Sequence, residues 1–127
     1  MISGTAFRIE TPAMVSAAAR GVRWVPRSEI DEIEAQCATE QAMCLACDDG
    51  MAVVDLRPGT DGLELFVWIA VAFKHGFYER QDAALDKIGR DLGASTVAFV
   101  SRRRGWARRL GPEWRRRGTD EFVRRIR

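Results

Sequence analysis

The alternation of apolar and polar residues changes period several times along the chain, and each change marks an element. Phe7 and Ile9 alternate with polar neighbours over Thr5 to Glu10, the period of two of a half-buried strand. Thr11-Pro12 then supplies a capping residue and a proline suited to a first helical turn, so Ala13 to Arg20 reads as a short alanine-rich helix closed by Gly21. After a loop holding Trp24 and Pro26, Ile30, Ile33 and Cys37 recur at helical spacing. Ser28 with Asp31 three residues on resembles a capping box, and a second helix is expected to about Glu40.

Strand periods follow. Met43 to Asp48 and Met51 to Arg57 are short apolar runs separated by Asp49-Gly50, a strong hairpin signal. A turn over Pro58-Gly59-Thr60-Asp61-Gly62 leads into Leu63 to Phe73, whose nearly unbroken apolar run predicts a strand buried on both faces at the centre of a sheet. Lys74-His75-Gly76 breaks it. Tyr78, Leu85, Ile88 and Leu92 mark one stripe of a helix over Phe77 to Leu92, ended by Gly93, and Thr96 to Val100 is again apolar. Strand, helix, strand in this form implies a right-handed parallel crossover. Gly105 to Leu110 reads as a short helix, and Trp114 to Arg127 as a bent final strand or hairpin. The expected class is therefore α/β, in the order β-α-α-β-β-β-α-β-α-β, with a mixed central sheet and helices on both faces.

Composition bounds this picture. A chain of 127 residues makes one domain, 1–127, and 46% hydrophobic content with four tryptophans describes a globular protein. The longest apolar run, Leu65 to Phe73, is too short to span a bilayer, and the first residues lack the order of a signal peptide. A cytoplasmic product without membrane contact is expected. Three cysteines argue against a disulfide framework. Cys44 and Cys47 with Cys37 and the only histidine, His75, suggest a zinc set, but on a strand a separation of three sends side chains to opposite faces. No metal is expected, and the thiols read as small buried hydrophobes.

Charge adds an asymmetry. The last 26 residues hold eleven arginines against Glu113, Asp120 and Glu121, about +8, whereas the other 101 residues sum to −6. Trp106, Leu110, Trp114, Phe122 and Ile126 are interleaved with these arginines, a pattern that favours a folded element over a polyelectrolyte tail. Arginine without lysine suits bidentate pairing with carboxylates at a protein interface.

The element order in this length resembles the GCN5-related N-acetyltransferase (GNAT) superfamily over nearly the whole chain. The stretch Val100 to Leu110 followed by Trp114 resembles that family's closing helix and aromatic corner, closest in feel to small GNAT-like proteins of phages and prophages. The resemblance implies that Leu63 to Phe73 and Thr96 to Val100 splay apart with acetyl-CoA wedged between them. Its cofactor site would be the backbone of Ile69, Ala70 and Val71 with Lys74, His75 and Gly76. The family's glycine-rich pyrophosphate loop, however, corresponds here to Lys74-His75-Gly76-Phe77-Tyr78-Glu79, with one glycine, two aromatics and a carboxylate. The position of the family's late-helix tyrosine falls at or near Arg109, and Glu64 and Asp55 are the only candidate bases.

These departures favour a non-catalytic or vestigial GNAT-fold protein without a cofactor, phage or prophage encoded and found in the host cytoplasm or the phage particle. It would act as a binding or virion-assembly module through an arginine-rich face of Arg102, Arg103, Arg104, Trp106, Arg108, Arg109, Arg115, Arg116 and Arg117, with a protein partner or by self-assembly. The alternatives are an acetyl-CoA-dependent N-acetyltransferase and, on charge alone, a nucleic-acid-binding accessory protein.

Overall fold

The structure, a computed structural model, describes residues 8–9, 26–47, 50–72, 77–101 and 106–127. The elements run β1 (Arg8–Ile9), α1 (Arg27–Ala38), β2 (Met43–Cys47), β3 (Gly50–Gly59), β4 (Gly62–Ala72), α2 (Phe77–Leu92), β5 (Ala94–Val100), α3 (Trp106–Arg109), β6 (Arg115–Arg117) and β7 (Glu121–Arg125). All seven strands join one sheet, ordered β1-β2-β3-β4-β5-β7-β6. The β4–β5 pair is parallel and every other pair antiparallel. The expected helix at Ala13 to Arg20 lies outside the described residues.

The apolar run of β4 is central, as its sequence requires. Leu65 and Val67 point to one face, where they pack with Val54, Val97 and Leu85 of α2. Phe66 points to the other and packs with Ala98 and Val123, while α1 covers the β2–β3 end of that face through Ile30 and Ile33. Trp68 contacts both groups on the α1 side and donates its indole N–H to Glu29 at 3.1 Å. The two helices thus cover opposite faces.

Several local expectations are corrected. Pro26, not Ser28, occupies the cap of α1, and no side chain caps it; Ser28 sits inside the first turn. The same helix stops at Ala38, and Glu40 takes a left-handed conformation with φ 62°. Gly50 is the first residue of β3, paired with Cys47, so the link between the strands falls at 48–49, outside the described residues. Residues assigned to the second turn extend the strands instead, leaving Thr60-Asp61 between the paired Gly59 and Gly62. The last stretch takes the second of its two expected forms, a hairpin of β6 and β7, which adds one strand to the expected order. Leu92, placed on the apolar stripe of α2, is 37% exposed because the helix is ending there at Gly93, whose φ of +82° suits glycine.

Candidate functional site

The parallel pairing of β4 with β5 runs from Leu63–Ala94 to Val67–Phe99 and stops. β4 continues to Ala72, paired only with β3. At the parting point Val54 faces Val67 and Val53 faces Ile69, so Trp68 is an extra residue, a bulge that bends β4 where β5 leaves it. A strand residue turns its N–H and C=O to the same side, and successive residues alternate sides. The Ala70 carbonyl accepts a long hydrogen bond from the Tyr78 hydroxyl at 3.5 Å, so Ala70 faces the gap. Alternation then turns Ile69 and Val71 toward β3. Of the three backbone positions expected from the sequence, Ala70 is the one the fold presents to the gap.

Both flanks of the gap are helical. Tyr78 belongs to the first turn of α2, and the Arg109 guanidinium of α3 lies over its ring at 5.3 Å. Lys74, His75 and Gly76 lie outside the described residues. Arg109 is exposed at this mouth, at the carboxyl end of β4, where open α/β sheets place their ligands, and Arg108, its neighbour on α3, is exposed as well.

Helix α2 is fixed by an ion-pair cluster on its second and third turns. Arg124 of β7, with a side chain 0% exposed, reaches Asp86 at 2.5 Å and Asp82 at 3.2 Å and lies against the Trp114 ring. Arg127 reaches Asp86 at 2.9 Å, Asp82 at 3.3 Å and Glu113 at 3.8 Å, and its carbonyl accepts from Arg90. Burial pushes the Asp86 carboxyl up, but the hydrogen bonds and charges of Arg124 and Arg127 outweigh it and hold the group below its ordinary value of 3.8.

The two candidate bases are engaged elsewhere. Glu64 is buried at the other end of β4, accepts from Thr96 Oγ1 at 3.0 Å and pairs with Arg117 at 2.8 Å. Its burial raises the pKa, yet the hydrogen bonds from Arg117 and Thr96, with the charges of Arg117 and Arg57, leave it below the ordinary 4.5. A general base needs a pKa moved toward neutrality, so this environment works against that role. Asp55 pairs with Arg57 at 3.1 Å, and Arg57 lies over Phe66 at 3.7 Å. Because both Glu64 and Asp86 are depressed in the folded state, their stabilisation is complete above their ordinary values and is lost as pH falls through the folded ones. The stability difference between wild type and Glu64→Gln should therefore narrow between pH 7 and pH 3, as read by urea denaturation.

The arginine-rich face is only partly a surface. Arg117 is held by Glu64 and Glu121, with Arg124 and Arg127 held by α2. Arg108, Arg109, Arg115, Arg116 and Arg125 are exposed, with Arg116 over the Phe122 ring at 5.4 Å. Arg102, Arg103 and Arg104 lie outside the described residues, and for Trp106 the structure gives the backbone in α3. Among the described residues no group of His, Cys, Asp or Glu is placed to hold a metal. Cys37 packs with the α1 core beside Cys44, and burial pushes its thiol up. No described helix is long and apolar enough to cross a membrane.

Solved structures share this architecture. A Desulfovibrio desulfuricans protein assigned to the GNAT acetyltransferase family matches with a TM-score of 0.62 at 16% identity, over 96% of this chain and 98% of its own. A chain of the NatC complex bound to Gag peptide and CoA matches at 0.68 and 12% identity, over 96% and 98%. A Bacillus subtilis acetyltransferase in complex with CoA matches at 0.56 and 14%, over 95% and 99%. No protein-family model matches the sequence, and no significant match is found among curated proteins. At these identities the likeness shows the fold, and that fold is the one of the GNAT acetyltransferases.

Sequence reasoning missed two site features. The place of Tyr78 on the α2 stripe gives no sign that its hydroxyl reaches the open edge of β4. The acids Asp82 and Asp86, four apart on α2, do not figure among the candidates read from the sequence; their spacing opposite a C-terminal arginine cluster is the signal that finds them.

Proposed function

We propose that this chain binds an acyl-CoA thioester in the gap between β4 and β5, as an N-acyltransferase of the GNAT type. The single observation that carries this reading is the bulged end of β4, where the sheet parts after Val67–Phe99 and Ala70 turns its main-chain groups into the opening. An open strand edge of this kind fits the peptide-like amides of a pantetheine arm, which would pair with it as an added strand does. When bound, the thioester supplies an activated acyl carbon to an amine. The residues of this chain hold and orient: Ala70 offers an N–H and a C=O to the arm, and Arg109, with Arg108 beside it on α3, stands at the mouth for phosphate. With Glu64 and Asp55 paired to arginines, neither is assigned as the base.

Acetyl-CoA at about a hundredfold over its dissociation constant would stabilise the native state by about 2.7 kcal/mol, a rise of roughly 5 to 15 °C in Tm for a domain of this size. A melt unchanged by millimolar acetyl-CoA would sink the reading.

A second reading is favoured by the distribution of charge. Exposed Asp31 and Glu32 on α1, over the β2–β3 end, oppose the arginines of α3, β6 and β7. In this reading the fold is a non-catalytic module whose basic face meets an acidic protein partner or a second copy. A nucleic acid on the same face would show the steep salt dependence of phosphate neutralisation. The structural likenesses carry neither a phage source nor a virion role.

A further inference from the structure

Among the described buried residues of α2, Gln81 is one that neither the core nor the ion pairs explain. It is 7% exposed, and its Oε1 is buried without a hydrogen-bond partner among the described residues. A buried acceptor left without a donor is destabilising, and native folds keep few of them. Which end of the amide is oxygen is assigned by its surroundings, but either end places a strong polar group in an apolar layer.

The helix register says where that group stands. Residues three and four apart on a helix share a face. One turn before Gln81, Tyr78 reaches the Ala70 carbonyl; one turn after it, Leu85 packs with Leu65, Val67 and Val97. Gln81 therefore lies over β4 between Val67 and Ala70, the stretch from which β5 has departed. The orphaned amide is thus placed on the sheet-facing side of α2, beside the stretch where β4 and β5 part.

We infer that Gln81 is a ligand-contacting residue, and that its side-chain amide accepts a hydrogen bond from an amide N–H of a pantetheine arm. The inference rests on the acyl-CoA reading and adds to it a specificity-determining side chain, one that would favour ligands carrying a peptide-like donor at that depth. Among the described neighbours on α2, Asp82 and Asp86 are paired with arginines, Ala84 and Leu85 have no polar side-chain atom, and the Tyr78 hydroxyl is already directed at the Ala70 carbonyl.

Gln81→Met keeps the volume and removes the acceptor. Calorimetric titration of wild type and variant with CoA, and with adenosine 3′,5′-bisphosphate, which lacks the arm, separates the possibilities. Expected are an unliganded Tm equal to or above that of wild type, a CoA affinity weakened about tenfold, and an unchanged affinity for the bisphosphate. Equal CoA affinity in both proteins overturns the inference and leaves the acyl-CoA reading standing. A lowered Tm with parallel loss of both ligands assigns Gln81 a structural role and also overturns it. Wild type that binds no CoA removes the acyl-CoA reading, and this inference with it.

Discussion

Arg124→Met is expected to cost about 3–5 kcal/mol in unfolding free energy, the loss typical when one partner of a buried pair is removed. Its side chain is 0% exposed and holds Asp86, itself 6% exposed at the side chain, together with Asp82 and the Asp82 carbonyl. Without it Asp86 keeps only Arg127, whose side chain is 54% exposed, and a buried carboxylate is left under-compensated. Small domains are stable by about 5–15 kcal/mol, so the variant should lie close to unfolding at room temperature. Replacing both partners, Arg124→Met with Asp86→Leu, should recover most of the loss because it removes the buried charge along with its counterion. Urea denaturation of the two single variants and the double one gives the coupling. A loss below about 1 kcal/mol for Arg124→Met would show that the pair does not pin α2 to β7. The consequence reaches the site, since this pin sets the turn of α2 that carries Tyr78 and Gln81 over β4.

Ala70→Pro should abolish most of the binding of acyl-CoA and leave the fold nearly intact. Because the Ala70 carbonyl faces the gap, its N–H turns the same way, so removing it with proline should leave the hydrogen bonds of the β3–β4 ladder in place. Proline is tolerated in a strand where its nitrogen faces away from the neighbouring strand, and the preceding Ile69 is already extended. One missing hydrogen bond corresponds to about a tenfold loss in affinity, and the ring filling the same space adds to it. Titration of the variant with CoA measures the loss, and its melt in the absence of CoA should fall within a few degrees of wild type. Ile69→Pro is the contrasting control: Ile69 lies opposite Val53, alternation turns its N–H toward β3, and its loss should destabilise the sheet.

The fold was legible because its largest elements carry strong local signals. The nearly unbroken apolar run from Leu63 became the central strand as far as Ala72, with Phe73 outside the described residues, and the stripe of α2 ended at Gly93 as its pattern indicated. Boundaries were less legible where backbone pairing outweighs side-chain chemistry. Pro58 and Gly59 have turn composition, yet the β3–β4 ladder extends through both to the Gly59–Gly62 pair. Ser28 has capping chemistry, but Pro26, with an extended ψ of 146°, sets the helix start two residues earlier than a serine cap would.

The site was legible only in outline. That two strands would part could be read from element order, but not which residue bulges, because register depends on pairing between residues as far apart as Val54 and Val67, 13 positions on, and leaves no mark on either strand alone. Glu64 resembled a base on residue type and became a buried partner of Arg117, 53 positions away. The arginine cluster resolved the same way. Arg117, Arg124 and Arg127 are neutralised inside the domain, and the rest of its described members divide between the gap mouth and the β6–β7 edge.

The most direct measurement is a titration of nitrogen-15-labelled protein with CoA, followed by amide NMR shifts. Binding in the gap predicts perturbations concentrated at Trp68, Ala70, Ala72, Tyr78 and Gln81, with β1 and α1 unmoved. Shifts confined to Arg115, Arg116 and Arg125, or no shifts at millimolar CoA, would contradict it.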